Sequence, residues 1–129
     1  MQRCPSCNAR LKGRVICARC KADLTVLINA ERSAQQWLTK AVEAYVAGNI
    51  EQSITALAIS LSQHKTRLAL VFREFIIERQ CRDILELLAQ KQLLQARQRL
   101  YQLRLLLPSS PQLQQLQSFS DYLFVNSQE

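Results

Sequence analysis

Four of the five cysteines fall within the first 20 residues. They sit in two copies of one eight-residue unit, Cys4-Pro5-Ser6-Cys7-Asn8-Ala9-Arg10-Leu11 and Cys17-Ala18-Arg19-Cys20-Lys21-Ala22-Asp23-Leu24. Each copy opens on Cys-x2-Cys, and nine residues separate Cys7 from Cys17. A Cys-x2-Cys turn aims two sulfurs at one point. Two such turns face to face supply four thiolates at tetrahedral spacing, so Cys4, Cys7, Cys17 and Cys20 are the candidate ligands of one Zn2+. Four thiolates close the shell, which gives a structural ion rather than a catalytic one. Iron in similar paired turns is a rival, although aromatic residues usually surround such a centre and none precedes Trp37. Disulfides need an oxidising compartment, and Met1 to Ala9 carries no signal-peptide pattern. A dithiol redox role for one Cys-x2-Cys needs a βαβ setting that the sequence does not offer.

The elements that must position these thiols are short. Lys12, Gly13 and Arg14 are the expected hairpin tip, with Gly13 free to take φ > 0. Val15 and Ile16 are expected to form a short strand into the second turn. The residue after each second cysteine needs a left-handed conformation, which Asn8 tolerates well and Lys21 less well. A segment this small is expected to lack a core of its own, so the metal supplies its folding free energy.

Beyond the cysteines the chain reads as helix. Only Gly13, Gly48, Pro5, Pro108 and Pro111 punctuate 129 residues rich in Leu and Gln. Ala34, Trp37, Leu38, Ala41, Val42 and Tyr45 share one helical face, and Gly48-Asn49 ends that helix. A second helix follows from Ile50 through Ile54, Leu57 and Leu61, antiparallel to the first because the turn is short. A third is expected over Thr66 to Gln90. Its apolar face changes phase, from Leu68, Val71, Phe72, Phe75 and Ile76 to Ile77, Cys81, Ile84, Leu85 and Leu88. A fourth is expected over Leu93 to Leu106. A fifth starts at Pro111 with Ser110 as its cap and presents Leu113, Leu116, Phe119 and Leu123. Residues 127–129 are expected to fray. The fold class is mainly α: a four-cysteine zinc ribbon over residues 1–26, then about five antiparallel helices over residues 27–129. No apolar run approaches the roughly 20 residues of a membrane span, so a soluble cytoplasmic protein is expected.

Two resemblances follow. Cys4 to Leu24 resembles the zinc-ribbon modules that open many prokaryotic proteins. Ala34 to Thr66 resembles a tetratricopeptide repeat, with Trp37, Ala41, Gly48-Asn49, Ile50, Ser53, Ile54, Leu57, Ser60 and Leu61 in the matching order. A second, more divergent copy spans Ile77 to Ser110, with Leu87, Leu93, Ala96, Leu100, Leu103 and the closing Pro108. In that copy Lys91 replaces the turn glycine, no Trp opens it, and Gly48 to Lys91 is 43 residues rather than about 34. The resemblances imply tetratricopeptide-like helical hairpins joined to a zinc ribbon, an architecture that binds macromolecules rather than performing chemistry.

The remaining polar residues have plain explanations. His64, the single histidine, falls at a helix end, where imidazolium meets exposed carbonyls. Cys81 lies on an apolar face and reads as a buried thiol. Glu74, Glu78, Asp83 and Glu86 interleave with Arg73, Arg79 and Arg82 as a solvated charged face. A non-enzymatic protein is expected: an adaptor, assembly factor or accessory subunit with protein partners. The candidate partner surface is the acid-free stretch Leu87 to Ser120, with Arg97, Arg99, Tyr101 and Arg104. The alternative is a nucleic-acid-binding regulator that uses the Arg97/Arg104 face and the basic ribbon. The formal net charge is +7; four thiolates and one dication would bring it to about +5. Arg3, Arg10, Lys12, Arg14, Arg19 and Lys21 face only Asp23 in the ribbon. Those cations can equally screen the thiolate cluster.

Overall fold

The computed structural model describes residues 1–127. Gln128 and Glu129 lie outside it, and with them most of the stretch expected to fray. Among the described residues five α-helices follow the ribbon: α1 (Thr25–Val46), α2 (Ile50–Gln63), α3 (Arg67–Ala89), α4 (Leu93–Gln102) and α5 (Pro111–Ser127), with a 3-10 turn at Leu107–Ser109 before the last. The fold is mainly α, as the sequence pattern implies. None of these helices is long and apolar enough to cross a membrane.

Helix α1 starts nine residues before the first residue of its apolar stripe, Ala34. The early turns were silent in the periodicity because they do not face the helical core. Ile28 packs on the ribbon instead, while Val26 and Leu27 are exposed. The Met1 amine pairs with Glu31 at 2.8 Å. The Asp23 carboxylate accepts the Thr25 hydroxyl and backbone N–H, and these bonds hold its pKa below the ordinary value. Thr25 and Val26 therefore begin the helix rather than end the ribbon.

Helices α1 and α2 form a tight hairpin. Ala34 and Ala41 are fully buried, and the absence of bulk lets the backbones approach. Two buried hydroxyls seal the seam: Ser53 Oγ donates to the Ala41 carbonyl and Ser60 Oγ to that of Ala34, both at 2.7 Å. Trp37 is only half-buried at the margin, with Lys40 Nζ 4.3 Å from its ring centre. Ala34 and Ala41, rather than Trp37, occupy the crossing. Helices α3 and α4 make a second hairpin, and α5 packs against both. Thr66 caps α3 through the Ala69 N–H, and Ser110 Oγ accepts the Leu113 N–H at the start of α5.

Helix α4 stops at Gln102, four residues short of the expected Leu106. From Leu103 the chain tightens into i→i−3 bonds, including Arg104 N–H to Tyr101 and Leu106 N–H to Leu103. Pro108 disfavours α geometry in the residue before it. The tightened turn also puts Leu103 and Leu106 into the core together. The phase change in α3 is real, but most of the first phase is uncovered, and Leu85 of the second is half-exposed. Ile76, Ile77, Cys81, Ile84 and Leu88 are buried, whereas Leu68, Val71 and Phe75 are exposed. Phe72 and Phe75 touch Tyr45 of α1 edge-on, at ring-centre distances of 5.9 and 5.6 Å.

Candidate metal centre

The two cysteine units fold as copies of each other, bond for bond. In the first, Asn8 N–H donates to the Cys4 carbonyl and Cys4 N–H to that of Ala9, at 2.8 and 2.9 Å. In the second, Lys21 donates to Cys17 and Cys17 to Ala22, at 2.9 and 3.0 Å. Leu11 N–H to Gln2 repeats as Leu24 N–H to Val15. Asn8 and Lys21 take φ of 62° and 63°, the left-handed geometry that the turn demands. The tip uses Lys12 at φ 50° and Gly13 at φ 79°. No strand forms at Val15-Ile16. Pairing in each copy is one isolated bridge, Arg3 to Arg10 and Ile16 to Asp23, because the chain curls back at once towards its sulfurs.

The knuckles bring all four sulfurs within 4.8 Å of one another. Cys4 Sγ lies 3.5 Å from Cys20 Sγ, and Cys7 Sγ lies 3.6 Å from Cys17 Sγ. Sulfurs on a tetrahedron with metal–sulfur bonds of about 2.3 Å are about 3.8 Å apart, so the cluster can hold a metal ion. A disulfide needs about 2.05 Å. The ribbon does have a small core. Cys4 and Cys17 are buried with Leu11 and Leu24, and Ala9, Ala22 and Ile28 pack against them. The closing leucine of each repeated unit thus belongs to this small core.

The electrostatics favour thiolates at two positions. Backbone N–H groups of Cys7 and Ser6 hold the Cys4 thiol below its ordinary pKa. Those of Cys20 and Arg19 bring Cys17 down to about 6. Cys20 goes the other way. Its largest influence, the Ala22 N–H, favours the thiolate, but the Cys4 sulfur, desolvation and the Cys17 and Cys7 sulfurs together push it up to about 12. Four sulfurs crowded together retain a proton unless a cation takes its place. A dication at the centre would reverse that balance and hold all four as thiolates.

The candidate partner residues of α4 are not one surface. Arg97 pairs with Asp121 of α5 at 2.9 Å and lies 4.5 Å from the Phe124 ring centre. Arg99 turns to the opposite flank, where Nη1 is 3.3 Å from the buried Gln80 Oε1 and 3.8 Å from Asp83 of α3. Arg104 folds onto the exposed Tyr101, 4.3 Å from its ring centre. Arg97, Tyr101 and Arg104 share a flank; Arg99 does not. The acid-free stretch concealed this because Asp83 and Asp121 lie just outside it. His64 is exposed at the end of α2, and Glu78 pairs with Arg82 at 2.8 Å.

A feature that the sequence pattern did not single out is an apolar groove of about 750 Å³, lined by Leu85, Leu88, Leu93, Phe119 and Leu123 among others. Leu85 and Phe119 looked like core positions but are half-exposed. Ser120 takes the buried place beside Leu116 on α5, and a serine gives no signal of core position in a hydrophobic pattern. No protein-family model matches the chain, and neither a curated protein nor a solved structure matches it.

Proposed function

We propose that the chain is a non-enzymatic interaction module, a structural zinc ribbon joined to two divergent tetratricopeptide-like hairpins, acting as an adaptor, assembly factor or accessory subunit of a protein complex. Cys4, Cys7, Cys17 and Cys20 hold the Zn2+, and a thiolate site of this kind belongs in a reducing cytoplasm. The hairpin kinship is supported by the two connections. Gly48 and Asn49 donate to Tyr45 and Ala44, and Lys91 and Gln92 donate to Leu88 and Leu87 in the same pattern.

The observation that carries the interaction reading is the apolar groove between the end of α3, the start of α4 and α5. Apolar side chains left together at a surface are the usual mark of a contact site. The test is affinity capture from the native host with wild type, a Leu85→Asp/Phe119→Asp variant and an Arg97→Ala/Arg99→Ala/Arg104→Ala variant. Capture of one defined protein that the groove variant loses supports the module. Equal recovery by all three sinks it.

A further inference from the structure

Among the described residues a dense group of cations without ion pairs lies on the ribbon. Arg97 and Arg99 have carboxylate partners, as do Arg73 and Arg82. Among the described residues none of Arg3, Arg10, Lys12, Arg14, Arg19 and Lys21 forms an ion pair within 4.0 Å. The ribbon's one carboxylate, Asp23, is occupied with Thr25, and Glu31 nearby is occupied with the Met1 amine. Six cations outweigh Asp23 and the net charge of about −2 on a four-thiolate zinc centre.

Three of the six converge. Arg3, Arg10 and Lys12 line a shallow pocket of about 360 Å³ with Met1, Gln2 and Gly13. Arg3 and Arg10 are the two residues of the antiparallel bridge, directly opposite each other. Like charges in that relation repel. Arg3 Nη1 donates to the Asn8 carbonyl at 3.1 Å, which fixes the side chain against the knuckle and leaves its other donors free.

The fold does not require this pair. The second copy of the unit has the same bridge and the same knuckle backbone hydrogen bonds, and there the paired residues are Ile16 and Asp23. Thr25 occupies the position that Lys12 has in the first copy. One copy thus serves as an internal control for the other. Two arginines opposite each other on the bridge, lining one shallow pocket with a lysine, suit an anion that accepts several charge-assisted bonds at once.

We propose that this pocket on the ribbon binds the phosphodiester backbone of a nucleic acid, a contact separate from the apolar groove and dependent on the metal reading only for a folded ribbon. Phosphate oxygens take bidentate bonds from Arg3 and Arg10 while Lys12 adds a point charge. The proposed contact is to phosphate, which carries no sequence information directly.

The test uses the full chain reconstituted with Zn2+ and a short fluorescently labelled duplex, followed by anisotropy between roughly 50 and 200 mM salt. The informative variant is Arg3→Ile/Arg10→Asp, which copies a pair that this chain already folds in its second unit; zinc content by elemental analysis checks that the ribbon is retained. The expected result is retained zinc, affinity lowered by about tenfold or more at low salt, and a salt slope smaller by about 2. Arg82→Gln, already neutralised by Glu78, should change affinity less than about twofold. Loss of zinc with unchanged oligonucleotide binding would assign the arginines to screening the thiolates and overturn the proposal. Wild-type protein that carries zinc and binds no duplex overturns it while leaving the metal reading standing. Equal competition by polyglutamate of matched charge overturns it in favour of an acidic protein.

Discussion

The molecule contains two pairs of like elements, similar to different degrees. The cysteine units repeat at an offset of 13 residues and agree in the three backbone bonds that shape each knuckle. The helical hairpins repeat at 43 residues and agree only at the turn. Their seams have diverged. Where the first hairpin crosses at Ala34/Ser60 and Ala41/Ser53, the second has Ile77/Leu103 and Ile84/Ala96, all buried. Four sulfurs around one point admit little variation in the turns that carry them. A packed seam keeps its fold through many combinations of volume, provided the apolar pattern survives. Strict correspondence therefore marks the part expected to depend on an ion.

The sharpest way to break the comparison is to remove one ligand. Cys17→Ser should abolish stoichiometric zinc in elemental analysis while far-UV circular dichroism keeps most of its helical signal, since α1 from Leu38 onward and α2 to α5 share a core that contains no ribbon residue. Collapse of the helical signal would mean that ribbon and hairpins fold as one unit. An intermediate effect comes from exchanging seams. Leu103→Ser writes Ser60 into the second hairpin and should cost roughly 2–5 kcal/mol in chemical denaturation, because Leu103 is fully buried. Ser60→Leu, the reciprocal change, overpacks against Ala34 and should cost about 1–3 kcal/mol. If either proves neutral, the seams are interchangeable and have not diverged. The smallest effect concerns the shared turn. Lys91 sits at φ 61° where Gly48 sits at 87°. Lys91→Gly should stabilise by about 0.5–1 kcal/mol, and Gly48→Ala should destabilise by a similar amount, read as opposite shifts in melting temperature.

Legibility in the sequence followed the same division. The cysteine spacing gave the cluster, and the left-handed turns at Asn8 and Lys21 followed from it because thiol geometry is dictated locally. Helix positions were also legible wherever a stripe faces the common core, as from Ala34 to Tyr45. The first turns of α1 were not, since their one inward residue, Ile28, packs on the ribbon rather than on helices. The end of α4 was not, because Leu103 and Leu106 continue the apolar pattern while the backbone leaves α geometry. Lys91 was readable as a substitution for glycine but not as a residue that accepts the glycine conformation. The pairing of Arg97 with Asp121 joins positions 24 apart, which no local pattern encodes.

Cys81 gives the molecule a built-in clock. It is buried in the helical core, and that burial raises its pKa, so it reacts slowly with thiol reagents. The ribbon thiols, two of them buried, would lose their shielding once chelation removes the metal that the ribbon needs to stay folded. In a timed alkylation after chelation, four adducts should accumulate quickly and the fifth should appear at the rate at which the hairpins open. One mass spectrum would then time both halves of the chain separately, without any label being introduced.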